Sequence, residues 1–191
     1  YNIYMMKYFK YIISIIFLLV LIFFGIGIYT TSVIYECEVT VDKTVKEAWA
    51  VMQDESKVSE WILGYQRTEH ISGTPRTKGA VSNVYVLDQG EETVMKETIM
   101  AVEPNKLMAM SFAMDFMDMN YEMQLQENGN STLIKTKSKI YGNGIFAKSM
   151  IAFMPKSMKA QEEENLKNLK KIIEANTKNY LKEPIMEIIE K

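Results

Sequence analysis

The sequence predicts an α+β protein: an antiparallel sheet packed against one long C-terminal helix, carried behind a transmembrane helix. Three observations predict it. Residues 155–175, PKSMKAQEEENLKNLKKIIEA, are amphipathic at helical spacing. Met158, Leu166, Leu169, Ile172 and Ile173 share a stripe, and Glu162, Glu163, Glu164, Lys167, Lys170 and Lys171 cover the rest. Between residues 33 and 141, a helical pair and several alternating segments are separated by turn chemistry. Residues 11–30, YIISIIFLLVLIFFGIGIYT, carry no charge. A lone long helix behind a run of strands must bury its stripe against the sheet they form.

Composition narrows the function classes. The chain has 191 residues, one ordinary domain plus an appendage. Lys7 and Lys10 are the only charges among the first 35 residues, so the remainder holds 20 basic and 24 acidic residues. That net of −4 gives no general electrostatic reason to bind nucleic acid or anionic lipid headgroups. The single cysteine, Cys37, excludes an intrachain disulfide and a multi-cysteine metal site. The single histidine, His70, excludes a histidine-rich one. No metal or cofactor motif is present. Fifteen methionines is a high count, and methionine fills irregular cores and lines adaptable apolar sites.

In chain order, residues 1–10 read as a cytoplasmic N-terminus and residues 11–30 as the span. About 20 residues at 1.5 Å each cross the roughly 30 Å hydrocarbon core. Lys7 and Lys10 precede it, and Glu36 and Glu38 follow it. The positive-inside rule then places the domain on the extracytoplasmic side. A cleaved signal peptide is the competing reading. The run exceeds an h-region of about 7–15 residues and no A-x-A site follows, which favours an uncleaved anchor. Residues 1–5, YNIYM, read as an extension ahead of a start at Met5 or Met6.

Residues 33–41 alternate as a half-buried strand, with Tyr35, Cys37, Val39 and Val41 on one face. Asp42 or Thr44 then caps a helix that buries Val45, Ala48, Trp49 and Met52. A second short helix is expected over 56–62. Strands follow over 65–72, 80–87, 93–102, 106–115, 117–126 and 132–141. Asp88-Gln89-Gly90, Glu103-Pro104-Asn105 and Asn128-Gly129-Asn130 turn the chain between them, so the strands form an antiparallel meander. Pro155 suits the first position of the long helix. Residues 176–191 form a tail with an apolar patch at Ile185, Met186, Ile188 and Ile189.

This order resembles the START-like or SRPBCC superfamily, which includes polyketide cyclase/dehydrase-like helix-grip proteins. The resemblance covers residues 34–175. It rests on Val39-Thr40-Val41, Thr44-Val45, Ala48-Trp49, Trp61, Gly73 and Gly79. It continues through Val102-Glu103-Pro104-Asn105-Lys106-Leu107, Asn128-Gly129-Asn130-Ser131-Thr132, Leu166 and Leu169-Lys170. These are fold markers, and none is a catalytic signature. The resemblance implies a domain over 33–175. In it a curved sheet of about seven strands wraps the C-terminal helix and leaves a cavity for an apolar ligand.

The clearest inward face is Met117, Met119, Tyr121, Met123 and Leu125. Core packing and a cavity wall both account for it. In the preceding strand, size turns Met108, Met110, Phe112 and Met114 inward. The family's habit of burying the residue equivalent to Leu107 argues the reverse, and a bulge would reconcile the two. Residues 145–154 are either an N-terminal extension of the long helix packed on the sheet, the simpler reading, or a lid hinged at Gly142 and Gly144. As a lid they would bring Phe146, Met150, Phe153 and Met154 to ligand or bilayer.

The ligand-cavity candidates are therefore Met110, Phe112, Met117, Met119, Tyr121, Met123, Phe146, Met150, Met154 and Met158. Glu69 and His70 are adjacent in a strand and point to opposite faces, so they form no dyad. Cys37 reads as an inert buried thiol. Lys135, Lys137 and Lys139 read as a solvated face that discourages edge pairing. No catalytic residue is assigned. The reading is a single-pass, membrane-anchored domain that binds a hydrophobic small molecule or lipid. The alternatives are a cyclase/dehydrase-like enzyme and a chaperone-activator-like interaction module with a filled core.

Overall fold

A computed structural model describes residues 2–88 and 90–180. The apolar N-terminal segment is one helix, α1 (Asn2–Tyr29), whose stretch Tyr8–Tyr29 is long and apolar enough to cross a membrane. Strand β1 (Val33–Val41) follows after three residues. Helix α2 (Val45–Met52) starts at a capping box. The Glu47 N–H donates to Thr44 Oγ1 at 3.4 Å, and the Thr44 N–H donates to Glu47 Oε2 at 3.1 Å. The second helix is shorter and tighter than expected. A 3-10 turn (Glu55–Lys57) capped by Asp54 leads into a single turn, α3 (Val58–Trp61).

Six strands then run as a meander: β2 (Tyr65–Ser72), β3 (Val81–Asp88), β4 (Glu91–Glu103), β5 (Leu107–Ala113), β6 (Met117–Asn128) and β7 (Ser131–Gly142). Strand β1 closes the order by pairing with β7, giving one antiparallel sheet, β1-β7-β6-β5-β4-β3-β2. Strand β7 is therefore internal, and its lysines guard no edge. Lys137 instead meets Glu36 at 2.9 Å and Lys135 meets Glu38 at 4.0 Å across the exposed outer face. Such exposed pairs add little stability.

Residues 145–154 do not extend the long helix. They form a separate helix, α4 (Ile145–Ile151), which packs on β7 and on α1, and the chain turns again before α5 (Pro155–Ala175). Gly142 permits the first contact, because a Cβ there would lie 2.5 Å from the Lys148 backbone nitrogen.

Helix α5 runs alongside β1 and against α2 and α3. Its residues Leu166, Leu169 and Ile173 are buried with Val41, Val51, Ile134, Met123 and Leu125 in the main core. Truncating Leu169 leaves a cavity that the surrounding sheet cannot collapse into. Leu169→Ala is expected to cost about 2–5 kcal/mol and Thr44→Ala about 1 kcal/mol, read by denaturant unfolding of the full chain in detergent micelles.

Candidate ligand-binding site

The strand register decides what faces α5. Residues directly opposite in antiparallel strands share a face, so the pairings can be read across the sheet in rows. One row is Tyr35, Ser138, Tyr121, Met110 and Ile99. The next is Cys37, Thr136, Met123, Met108 and Val102. On the other side, Val33, Ile140, Met119, Phe112, Glu97, Ser82 and His70 form a third. Tyr121 and Met123 are buried beside Leu166 in the core, which fixes these rows as the inner face.

The methionine side of β5 therefore points inward, and Leu107 pairs with Gln124 on the outer face. A bulge is present, but it lies on β4. Met100 is the extra residue between Ile99, opposite Met110, and Ala101, opposite Ala109. It allows Ile99 and Val102 both to face inward.

Met110, Phe112, Met117, Met119, Tyr121 and Met123 thus lie together on β5 and β6. Met158 is half-buried on the α5 stripe, and Met154 is half-buried just before that helix. Phe146 and Met150 are exposed, and the Phe146 ring lies 5.7 Å from Phe23 of α1. The structure does not bring these two to the methionine face.

A buried carboxylate stands opposite that face. Glu162, expected on the polar side of α5, is only 8% exposed and accepts a 2.9 Å hydrogen bond from the Tyr121 hydroxyl. Burial pushes its carboxyl above the usual carboxylate range, while hydrogen bonding from Tyr121, Thr136 and Asn165 pulls it back. Burial and the Glu162 charge push the Tyr121 phenol well up. Tyr35 is raised by burial as well, beside Ser138, whose buried Oγ has no well-formed partner among the described residues.

A second inward carboxyl, Glu97, sits opposite Phe112 and is also raised by burial, against the pull of Arg76. Arg76 in turn donates to Glu55 and Gln53, tying the β2–β3 connection to the segment between α2 and α3. Signal for Glu162 was present in the sequence. Met158, Glu162 and Leu166 are spaced by four, so a carboxylate occupies a stripe position.

The other chemistry-bearing residues stand apart from this pair. His70 ends its row but is exposed, with Nε2 donating to the Gly73 carbonyl at 2.9 Å. Glu69 points to the outer face, where it bonds Arg67 and Tyr85. Burial pushes the Cys37 thiol up to about 11, which leaves it unreactive at neutral pH. Two recesses, of about 520 and 450 Å³, open at the surface. Both are lined mostly by charged and polar groups, such as Glu36, Lys137 and Lys159 in one and Lys43 and Glu47 in the other.

This arrangement is the helix-grip architecture, a largely apolar inner sheet face gripping a C-terminal helix with the Glu162–Tyr121 pair buried between them. The chain belongs to the family described as polyketide cyclase / dehydrase and lipid transport, which matches residues 32–174. Its fold is shared with Ara h 8.0201 at a TM-score of 0.61 and 15% identity, over 76% of this chain and 99% of that one. The Zhui aromatase/cyclase from Streptomyces sp. R1128 superposes with a TM-score of 0.58 at 13% identity, over 75% and 97% of the two chains. The di-domain ARO/CYC StfQ from the steffimycin biosynthetic pathway gives 0.63 at 11% identity, over 76% of this chain and 52% of that one. At these identities the likeness concerns the fold alone. No curated protein matches the sequence.

The raised carboxyl carries a pH signature. A group whose folded pKa lies above its unfolded value supports folding most at low pH, and that support is lost as pH rises through the folded pKa. Glu162→Gln should therefore flatten the fall in stability between pH 5 and pH 8. Tyr121→Phe takes a donor from the buried carboxylate. It should cost about 1–3 kcal/mol, more at pH 8 than at pH 5, measured by chemical unfolding across that range.

Proposed function

We propose that this protein is a membrane-tethered binder of an apolar or amphipathic small molecule, a lipid being the nearest source, held between the inner sheet face and α5. The observation that carries the reading is the row register. It gathers Met108, Met110, Phe112, Met119 and Met123 on one face, with the Glu162–Tyr121 hydrogen bond as a buried polar contact between sheet and helix. Unbranched methionine side chains swing aside at low cost, so a methionine-rich interior opens to an irregular guest more readily than a leucine-rich one. The polar pair supplies one anchoring point for a hydroxyl or carbonyl group on that guest. The family description, which couples cyclase/dehydrase chemistry with lipid transport, supports the same class of cargo.

Helix α1 supports the tether. Only Thr30, Thr31 and Ser32 separate it from β1, a reach of at most about 11 Å. The domain is held at the bilayer surface, on the side opposite Lys7 and Lys10 by the positive-inside rule.

One observation favours a second reading, a cyclase/dehydrase-like enzyme. Glu162 is a buried carboxyl with a raised pKa in hydrogen-bond contact with a phenol, the kind of group that serves as a general acid or base.

Native mass spectrometry of the full chain released from detergent separates these readings. The binder is expected to carry an adduct that denaturation removes, and Met123→Trp, which fills the inner face, should abolish it. No adduct, together with no uptake of fluorescent fatty acid from vesicles, would overturn the binding reading. A bound species that changes mass on incubation with the parent chain, but not with Glu162→Gln, would establish the enzyme instead.

A further inference from the structure

Helix α4 buries one face against the sheet and another against α1. Ala147 and Ile151 are buried on the helix that packs against β7. Ser149, fully buried, meets α1 at Gly27, where an added Cβ would overlap Ser149 Oγ and lie 2.5 Å from the Ile145 carbonyl. Two helices approaching this closely at a glycine are locked in position along each other. Phe146 and Met150 on α4, with Phe153 in the turn just after it, form a third surface that is 56%, 38% and 64% exposed. Its rings continue directly into the apolar surface of α1. Phe153 stacks on Phe23 at 6.4 Å between centroids with the planes 3° apart, and Phe146 sits 5.7 Å from the same ring.

Depth follows from arithmetic. If α1 spans, about 20 residues counted from Lys10 place the far hydrocarbon boundary near Thr30. Phe23 lies seven residues earlier, about 10 Å inside that boundary. Phe146 and Phe153, whose ring centroids lie 5.7 and 6.4 Å from that of Phe23, would then sit between that level and the boundary, inside the hydrocarbon. Lys148 lies on α4 and Lys156 follows it at the start of α5. Positive charge beside an apolar stripe suits the phosphate layer of a bilayer.

We propose that α4 is an interfacial foot. Its Phe146–Met150–Phe153 face is sunk into the hydrocarbon edge of the same leaflet that α1 leaves, and the occupant of that face is lipid. The Gly27–Ser149 crossing then makes the tether rigid, with the domain fixed against the membrane rather than swinging on a linker. This inference rests on the reading of α1 as a membrane span, and the test separates the two.

The full chain is reconstituted in vesicles of phosphatidylcholine and phosphatidylglycerol at 3:1, with an environment-sensitive fluorophore on Phe153→Cys, Leu18→Cys or Gln124→Cys. Cys37 is buried, so native labelling goes to the added thiol. The Phe153 label is expected to be about threefold or more less accessible to iodide than the Gln124 label on the outer sheet face. Nitroxides placed shallow on the acyl chains should quench it more than deep ones, and the Leu18 label should show the reverse depth order. Introducing Gly27→Leu should raise iodide access at the Phe153 label by about twofold or more, because the crossing is wedged open. A Phe153 label as wet as the Gln124 label, with the Leu18 label deep, overturns the foot and leaves the span standing. A wet Leu18 label overturns both.

Discussion

The structure depends on one packing constraint: the stripe of α5 must be buried by a sheet that curves around it. Leu166, Leu169 and Ile173 are buried in a core that also holds residues of β1, β6, β7 and α2. Most of the remaining domain serves that contact. The meander supplies the inner face, β1 returns to pair with β7 and extends the sheet beside α5, and α2 and α3 cover the flank. Hydrophobic burial of this kind is non-directional, so the core sets where α5 lies but not what chemistry the interior performs.

The chemistry lies in the exception to that burial. Glu162 occupies a stripe position that an apolar residue would fill at less cost, since an ionisable group inside a core is expensive unless it is hydrogen-bonded. The bond from Tyr121 reduces the cost without removing it, and the raised pKa is the residue of that cost. A polar pair in an otherwise methionine-rich interior is a local inconsistency of the kind that marks functional positions. It gives the carrier reading an anchor and gives the enzyme reading its acid. The two differ in whether a bond changes, which is a property of the guest as much as of the chain.

The same logic applies at the membrane. A tether alone needs only an apolar helix and any linker. Here the linker is three residues, the helix crosses α4 at a glycine, and an exposed aromatic stripe continues the apolar surface of α1 onto the domain. These features set the end of the sheet at Gly142 against α4 and, through α4, against α1; under the proposal that α1 spans a bilayer, that end would face the lipid from which an apolar guest would come.

By itself the sequence determined the parts: the apolar helix, the seven strands, the capped second helix and the boundaries of α5. These rest on local periodicity, capping and turn chemistry, which act over a few residues and are visible in one dimension. The inward face of β6 was legible for the same reason, since alternation has a period of two. Only the tertiary structure decided how those parts meet. The pairing of β1 with β7 turned Lys135 and Lys137 from edge guards into cross-strand partners of Glu38 and Glu36. The register aligned β5 with β6 and so settled which of its two faces looks inward. The turn around residues 152–154 separated α4 from α5, because Gly142 and Gly27 let α4 sit close to β7 and α1 at once. Glu162 shows the limit most clearly. Its spacing put it on the stripe and its charge put it in solvent, and the choice between them was made by Tyr121, a residue 41 positions away whose hydroxyl is brought to it only by the folded sheet.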